Sequence, residues 1–128
     1  MKTQKQAFGD LGEEAAVRYL VREGYHLIAR NWRAGRNEVD IIAEQHGLLV
    51  FVEVKTRRDE HYAEATEAVS HDKQANLLEA ARDYFLITGA DNPVRFDIVT
   101  VVGTTPPYRI THIPDAFSAD SFYHVEHH

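Results

Sequence analysis

The spacing of apolar residues predicts an amphipathic helix near the amino terminus. Across residues 10–23 apolar side chains recur at steps of three and four, at Ala16, Val17, Leu20 and Val21, and Gly24 follows as a helix stop. Glu13 lies three and four residues before Ala16 and Val17, so its carboxylate falls on or beside the face that should be buried. The helix dipole also favours an acid in the first turn, so this position has a purely structural explanation as well as a functional one.

Two segments rich in β-branched residues, 38–44 and 48–55, are separated by a short polar stretch that contains His46 and Gly47. This pattern predicts an antiparallel hairpin. With His46 and Gly47 as the two turn residues, the register is fixed, and Asp40 falls directly opposite Glu53.

The rest of the chain predicts a second helix and further strands. Ser70 is the expected N-cap of that helix and Gly89 its stop, with an apolar stripe at Leu77, Leu78, Ala81, Phe85 and Leu86. The remaining predicted segments are a strand over 25–31, an Arg-rich loop over 32–37, a strand over 94–102 and an edge strand over 108–113.

The predicted hairpin concentrates charged residues that could carry chemistry. Glu53 and Lys55 are two residues apart on one strand and so project from the same face. Asp40 and Glu53 opposite one another would repel without a counterion, and two converging carboxylates are a usual oxygen site for Mg²⁺ or Mn²⁺. Lys55 would then orient water or stabilise charge during phosphodiester hydrolysis. The structural alternative is a surface ion pair between Asp40 and Lys55 beside a solvated Glu53.

Length and composition limit the possible classes of protein. The 128 residues are 44% apolar and 27% charged, which suits one compact domain, expected over residues 1–120. The absence of cysteine excludes disulfides, thiolate metal sites and a cysteine nucleophile. No apolar run is long enough to span a bilayer and no signal peptide is recognisable, so we expect a cytoplasmic protein without membrane association. The tail 121–128 ends in histidines typical of a purification tag.

Charge is distributed unevenly along the chain. The formal net charge is -6, yet residues 1–58 contain 10 Lys and Arg against 8 Asp and Glu, whereas residues 59–128 contain 4 against 12. Cations that bracket the strands of the first half could contact phosphates together, or could be ordinary solvated side chains. They are Arg30, Arg33, Arg36, Lys55, Arg57 and Arg58. His61, His71 and His112 share no ligand spacing and are expected to be surface or loop residues.

An ordered series of short motifs covers nearly the whole chain, from about Gly9 to Phe117. The chain resembles the YraN-type bacterial family, whose members are described as endonuclease-like and similar in pattern to archaeal Holliday-junction resolvases. The matching strings include Gly12-Glu13, Glu38-Val39-Asp40-Ile41-Ile42-Ala43, Phe51-Val52-Glu53-Val54-Lys55-Thr56-Arg57, Glu67-Ala68-Val69, Lys73 and Arg95-Phe96-Asp97.

The resemblance implies an α/β, restriction-endonuclease-like fold in which helices flank a central mixed sheet. It also implies a metal site for Mg²⁺ or Mn²⁺ in which Glu13 is the helix-borne acid, Asp40 and Glu53 are ligands, and Lys55 is the catalytic lysine. Gln74 resembles the polar helix residue that some nucleases of this fold place beside the site, although the family match is stronger at the neighbouring Lys73.

The function expected on these grounds is metal-dependent hydrolysis of DNA phosphodiesters, on branched or junction structures. Junction symmetry would call for a homodimer. The alternative is a non-catalytic module that keeps the fold and binds nucleic acid or a protein, and no residue separates DNA from RNA as the substrate. The expected nucleic-acid contacts are Arg30, Arg33, Arg36, Arg57, Arg58, Lys73 and Gln74.

Overall fold

A computed structural model describes residues 1–59 and 69–118, and these residues form a five-stranded sheet with two helices. The strand order is β1-β2-β3-β4-β5, and every neighbouring pair is antiparallel except β3 and β4, which are parallel. The elements are α1 Gln4–Arg22, β1 His26–Ala34, β2 Asn37–Gln45, β3 Leu48–Arg57, α2 His71–Thr88, β4 Val94–Val102 and β5 Arg109–Phe117.

This arrangement confirms the α/β class and is consistent with the restriction-endonuclease-like fold. The parallel pair β3 and β4 is joined by the connection that contains α2, as parallel strands require a long crossover. The expected boundary between the domain and the tail at residue 120 lies outside the described residues. Within residues 1–59 and 69–118, neither helix has the length and apolar character needed to cross a membrane.

The first half of the central strand β3, up to Val52, is buried on both faces, which explains its unbroken apolar sequence. Leu49 and Phe51 belong to the core cluster that includes Leu77 of α2, whereas Val50 and Val52 belong to the cluster that includes Leu20 of α1. Each helix therefore covers one face of the sheet.

The structure corrects the predicted first helix at both ends. α1 begins at Gln4, six residues before the apolar periodicity starts, because Thr3 and Gln6 form a reciprocal capping box. At the other end, the predicted apolar stripe was wrong at Val21, which is 53% exposed. The same error occurs in α2 at Leu86, which is 76% exposed, whereas Ser70 and Gly89 cap that helix as predicted.

The predicted Arg-rich loop over 32–37 was wrong. β1 continues to Ala34 and β2 starts at Asn37, so the connection is a two-residue turn formed by Gly35 and Arg36. Gly35 has a φ of 59°, a value that glycine adopts without a steric penalty. The alternation of large and charged side chains in this segment belongs to a strand at the edge of the sheet, where one face and one edge meet solvent.

A buried acid, Asp97 of β4, organises one end of the α1 face. Its carboxylate accepts two hydrogen bonds from the Arg95 guanidinium at 2.8 Å, one from the backbone N–H of Asp115 at 3.0 Å, and lies 2.7 Å from Nε2 of His112. Tyr19 Oη lies 3.3 Å from Nδ1 of the same His112. The expectation that His112 is a surface or loop residue is therefore wrong, because it lies within β5 and its side chain is 10% exposed.

The hydrogen bonds to Asp97 outweigh the effect of its burial. Burial alone would raise the pKa of Asp97, but the His112 and Arg95 side chains and the Asp115 amide favour the ionised form and hold the pKa below its usual range. Asp97 is thus an ionised structural acid.

Replacing this acid should be costly. We expect Asp97→Asn to lower the free energy of unfolding by about 3–5 kcal/mol, because Arg95 loses its buried counterion. Urea denaturation at neutral pH measures the change, and the exposed Asp91→Asn is the matched control, expected to stay within about 0.5 kcal/mol of wild type. A loss as small as that of the control would contradict the structural role.

Gly12 lets α1 approach β3 closely. A Cβ atom at this position would lie 2.1 Å from Oγ1, 2.8 Å from Cγ2 and 3.0 Å from Cβ of Thr56. Rotating the Thr56 side chain exchanges one clashing atom for another, so relief requires movement of the helix. Gly9, one turn earlier in α1, has no atom within 4 Å of its equivalent position.

These two glycines make a matched pair for mutation. Gly12→Ala should destabilise the protein by about 1–3 kcal/mol through overpacking, whereas Gly9→Ala should be neutral or stabilising by up to about 1 kcal/mol through helix propensity. Urea denaturation of both variants tests the close contact. Equal stability of the two variants would show that α1 does not depend on it.

Candidate metal centre

Asp40 and Glu53 meet where β2 and β3 end their regular pairing. His46 and Gly47 form the turn with φ values of 53° and 82°, and the resulting register pairs Ile41 with Val52. Asp40 and Glu53 follow directly on from that pair, as the predicted hairpin requires.

The Asp40 carboxylate is held in place by the next strand. Its Oδ2 accepts a hydrogen bond of 2.8 Å from the backbone N–H of Val54. Burial raises the pKa of Asp40, and the Val54 amide opposes that rise. A backbone donor thus fixes one acid beside a second one.

Glu53 is the more perturbed of the two acids. Its side chain is 12% exposed, and burial followed by the charge of Asp40 raises its pKa to about 7. Lys73 of α2 lowers that pKa with Nζ 3.5 Å from Oε1, but it does not cancel the rise. The other oxygen, Oε2, is buried and has no hydrogen-bond partner among the residues that the structure describes. Glu53 therefore holds one unsatisfied acceptor in a low-dielectric position.

Glu13 approaches the pair from α1. Its side chain is 14% exposed, its Oε1 is buried without a hydrogen bond, and Nη2 of Arg30 is 4.0 Å away from that oxygen. Burial and then the charge of Asp40 raise the pKa of Glu13, against the influence of Arg30. The buried placement expected for this helix acid is confirmed, and Glu13 belongs to the same electrostatic group as Asp40.

The two other predicted site residues are Lys55 and Gln74. Lys55 is half-buried on β3, two residues after Glu53 and in register with Thr100 of β4. Gln74, in the first turn of α2, donates a hydrogen bond of 3.1 Å to the carbonyl of Val69.

Sequence reasoning placed Lys73 among the nucleic-acid contacts and missed its ion pair with Glu53. A signal for this position is present in the chain, because Ser70 caps α2 by accepting from the backbone N–H of Lys73 at 3.2 Å. The cap fixes Lys73 in the first helical turn, where its side chain reaches the sheet.

The donor set fits a hard divalent cation held by few protein ligands. Among the described residues no group of three or more His, Asp or Glu side chains is arranged to hold a metal ion. Mg²⁺ nevertheless needs only one or two carboxylates when water and substrate phosphate supply its other ligands. The unpaired Oε2 of Glu53 and Oε1 of Glu13 are carboxylate oxygens of the kind such an ion prefers.

Comparison with other proteins identifies the family of this chain. The family described as "Uncharacterised protein family UPF0102" matches residues 12–101. The chain belongs to the UPF0102 family. A UPF0102 protein of Bacteroides fragilis is 48% identical over 109 residues, covering 85% of this chain and 90% of the relative. A UPF0102 protein of Chlorobium phaeobacteroides is 37% identical over 127 residues, covering 94% and 100%. The resemblance to the YraN-type family is confirmed.

Two of the arginines predicted to contact nucleic acid are held in ion pairs with acids. Arg30 pairs with Glu14 at 2.8 Å, and Arg33 pairs with Glu38 at 3.2 Å. These ion pairs would have to be exchanged for phosphates in a complex with nucleic acid. Arg36 is exposed in the turn between β1 and β2, while Arg57 and Arg58 lie at the end of β3. Their contacts with nucleic acid stay a prediction.

The raised pKa of Glu53 predicts a specific pH dependence of stability. With a chelator present, the folded protein keeps a proton on Glu53 up to about pH 7, whereas the unfolded chain releases it near the ordinary value of 4.5. This contribution to stability is therefore complete below pH 4.5 and is lost as pH rises through 7. From pH 5 to pH 8 we expect the free energy of unfolding of Glu53→Gln to rise by about 1–3 kcal/mol relative to that of wild type.

Urea denaturation at the two pH values measures this difference. Glu79→Gln, at an exposed position of α2, is the control and should show no such gain. If the stability of wild type and that of Glu53→Gln change equally between the two pH values, the raised pKa of Glu53 is contradicted.

Proposed function

We propose that this UPF0102 protein is a metal-dependent nuclease that hydrolyses DNA phosphodiesters, with branched or junction DNA as its substrate. The observation that carries the proposal is the buried pair of Asp40 and Glu53, in which one carboxylate oxygen has no hydrogen-bond partner within residues 1–59 and 69–118. A pair of this kind lowers stability, and such arrangements concentrate at functional sites.

A purely structural role explains the pair poorly. Structural buried acids are normally paired and fully hydrogen-bonded, as Asp97 is in this same sheet. Glu53 instead keeps an empty acceptor and favours the protonated form near neutral pH. A divalent cation would remove both penalties at once, because it supplies a partner for the oxygen and a counter-charge for the pair.

Asp40 and Glu53 are the residues that would hold the ion, with Glu13 beside them. When bound, Mg²⁺ or Mn²⁺ supplies a Lewis acid for a phosphoryl oxygen and lowers the pKa of a water molecule.

The protein's own groups would do the remaining work. Val54 keeps Asp40 aimed at the site through its backbone N–H. Lys73, 3.5 Å from Glu53, adds positive charge where a phosphate would arrive, and Lys55 on the same strand as Glu53 is positioned to do the same. Removal of these acids should therefore abolish ion binding, whereas removal of a lysine should spare ion binding and lower the cleavage rate.

Junction DNA and a homodimer are the finer parts of the proposal. They rest on the resemblance to junction resolvases, whose substrate has two-fold symmetry that a dimer matches. Both parts are tested separately from the chemistry, by the choice of DNA substrate and by the oligomeric state in solution.

The first test is ion binding. Calorimetric titration of Mg²⁺ and Mn²⁺ at pH 8, where Glu53 releases its proton, should show binding by wild type and none by the double variant Asp40→Ala/Glu53→Ala. An equal change of charge at exposed acids, Glu79→Ala/Asp91→Ala, should leave binding intact. The same proteins are then incubated with single-stranded, duplex, flapped and four-way-junction DNA, and the double variant should lose cleavage by about a hundredfold or more.

Two outcomes would contradict the nuclease. Wild type that binds no divalent ion, with or without DNA, would favour the non-catalytic docking module. Cleavage that survives in the double variant would place the chemistry elsewhere in the chain or in a contaminant. Cleavage of linear duplex alone would remove the junction preference and keep the nuclease.

A further inference from the structure

A concave surface lies on the α1 face of the sheet, between the start of α1 and the end of β3. It is a cavity of about 1120 Å³, to which Lys5 and Phe8 contribute from α1, and Val54, Arg57 and Arg58 from β3 and the residue that follows it. Thr104, in the connection from β4 to β5, closes one side. Cavities that enclose drug-sized ligands measure about 300–1,000 Å³, so this one has room for a nucleotide or two.

The charge of this cavity is opposite to that of the molecule. The protein carries a formal net charge of -6, yet three of the described residues that line the cavity are cationic and none is acidic. The next acid along the chain, Asp59, lines a different cavity together with Arg109. A local positive surface on an acidic protein favours an anionic ligand that the rest of the molecule repels.

An aromatic side chain lines the same cavity. Phe8 is half-buried and lies outside both core clusters of the described residues, so burial in the core does not account for it. Bases of single strands stack on aromatic side chains while neighbouring cations track the phosphates. Phe8 lines the cavity together with Lys5 and Arg58, so the cavity contains both elements of such a binding mode.

Val54 connects this cavity to the carboxylate pair. Its backbone N–H holds Asp40 at 2.8 Å, while its side chain lines the cavity. Successive side chains of a strand face opposite sides of the sheet, so Val54 lines the cavity on the α1 face, whereas Glu53 lies on the face of α2 with Lys73. The cavity and the carboxylate pair therefore approach the same point of β3 from opposite faces.

We propose that this cavity binds one flexible single strand of nucleic acid, with Lys5, Arg57 and Arg58 contacting phosphates and Phe8 stacking on a base. The inference rests on the proposed function in that it names the substrate feature which that site receives, an unpaired strand beside a branch. A duplex is stiff over about 150 base pairs and cannot fold its backbone into a concavity, whereas a single strand can.

Binding without catalysis tests the proposal. Fluorescence anisotropy of a labelled oligothymidylate with wild type, in a chelator and again with Ca²⁺, gives the Kd and its dependence on salt. Lys5→Ala/Arg58→Ala should weaken binding at least about tenfold and lower the slope of log K against log salt by about 1.4, since each phosphate contact of a single strand contributes about 0.7. Arg82→Ala, at an exposed position of α2 on the other face of the sheet, should stay within about twofold of wild type.

Phe8→Leu separates stacking from charge. It keeps an apolar side chain, so the fold should persist, and it should weaken binding by about fivefold or more without changing the salt slope. An RNA oligomer of the same sequence and a hairpin duplex of equal length complete the set, and the duplex should bind at least about tenfold more weakly than the single strand. Equal or tighter binding of RNA would identify the bound strand as RNA, and the cavity would still be its binding site.

The outcomes distinguish the cavity from the metal centre. Asp40→Ala/Glu53→Ala should still bind the oligomer in chelator, so a catalytically inert wild type that binds through Lys5 and Arg58 would refute the nuclease and keep the strand site. No binding by wild type in either buffer, or binding unaffected by Lys5→Ala/Arg58→Ala, would overturn the strand site and leave the metal centre standing. Preference for the duplex would overturn it as well.

Discussion

The hydrogen bond from the backbone N–H of Val54 to Asp40 is the constraint on which the candidate site depends. Regular pairing of β2 and β3 ends at Ile41 and Val52, and the Asp40 side chain takes a donor from the next part of β3 instead. This bond holds Asp40 beside Glu53 although their charges repel. Without it, the two acids could turn apart and the pKa of Glu53 would return toward its ordinary value.

The hydrophobic core offsets the destabilising effect of burying Asp40 beside Glu53. β3 is apolar on both faces up to Val52, and the polar residues begin at the position where the two core clusters end. Each helix then contributes a charged side chain to the boundary, since α1 brings Glu13 and α2 brings Lys73. The close contact of Gly12 with Thr56 sets the height of Glu13 above the sheet. The site is therefore assembled from both faces, although its centre lies in a single hairpin.

The sequence predicted the parts of this site that local chemistry controls. His46 and Gly47 determine the turn, the turn determines the register, and the register places Asp40 next to Glu53. The caps of α2 were likewise readable from Ser70 and Gly89. Residue spacing does not report contacts between distant elements, so the pairing of Lys73 with Glu53 could not be derived from it.

The pattern of apolar residues also did not predict which side chains are exposed. Val21 and Leu86 continue the periodicity of their helices, but each lies near a helix end, where the sheet no longer covers the stripe. His112 shows the opposite error, because it was predicted to be exposed and its side chain is only 10% exposed. Its position in the sequence gives no sign that its side chain will contact Asp97, fifteen positions earlier.

The contrast between Asp97 and Glu53 argues that the carboxylate pair is functional. Both acids are buried in neighbouring strands of one sheet, and burial raises the pKa of each. Around Asp97, Arg95 and His112 outweigh that effect, and the acid is ionised and fully bonded. The pKa of Glu53 is raised first by burial and then by the charge of another acid, Asp40, and one Glu53 oxygen has no partner in the described part of the chain. Because the same fold satisfies one buried acid completely, the incomplete satisfaction of the other is a local property of this site, and a bound cation would complete it.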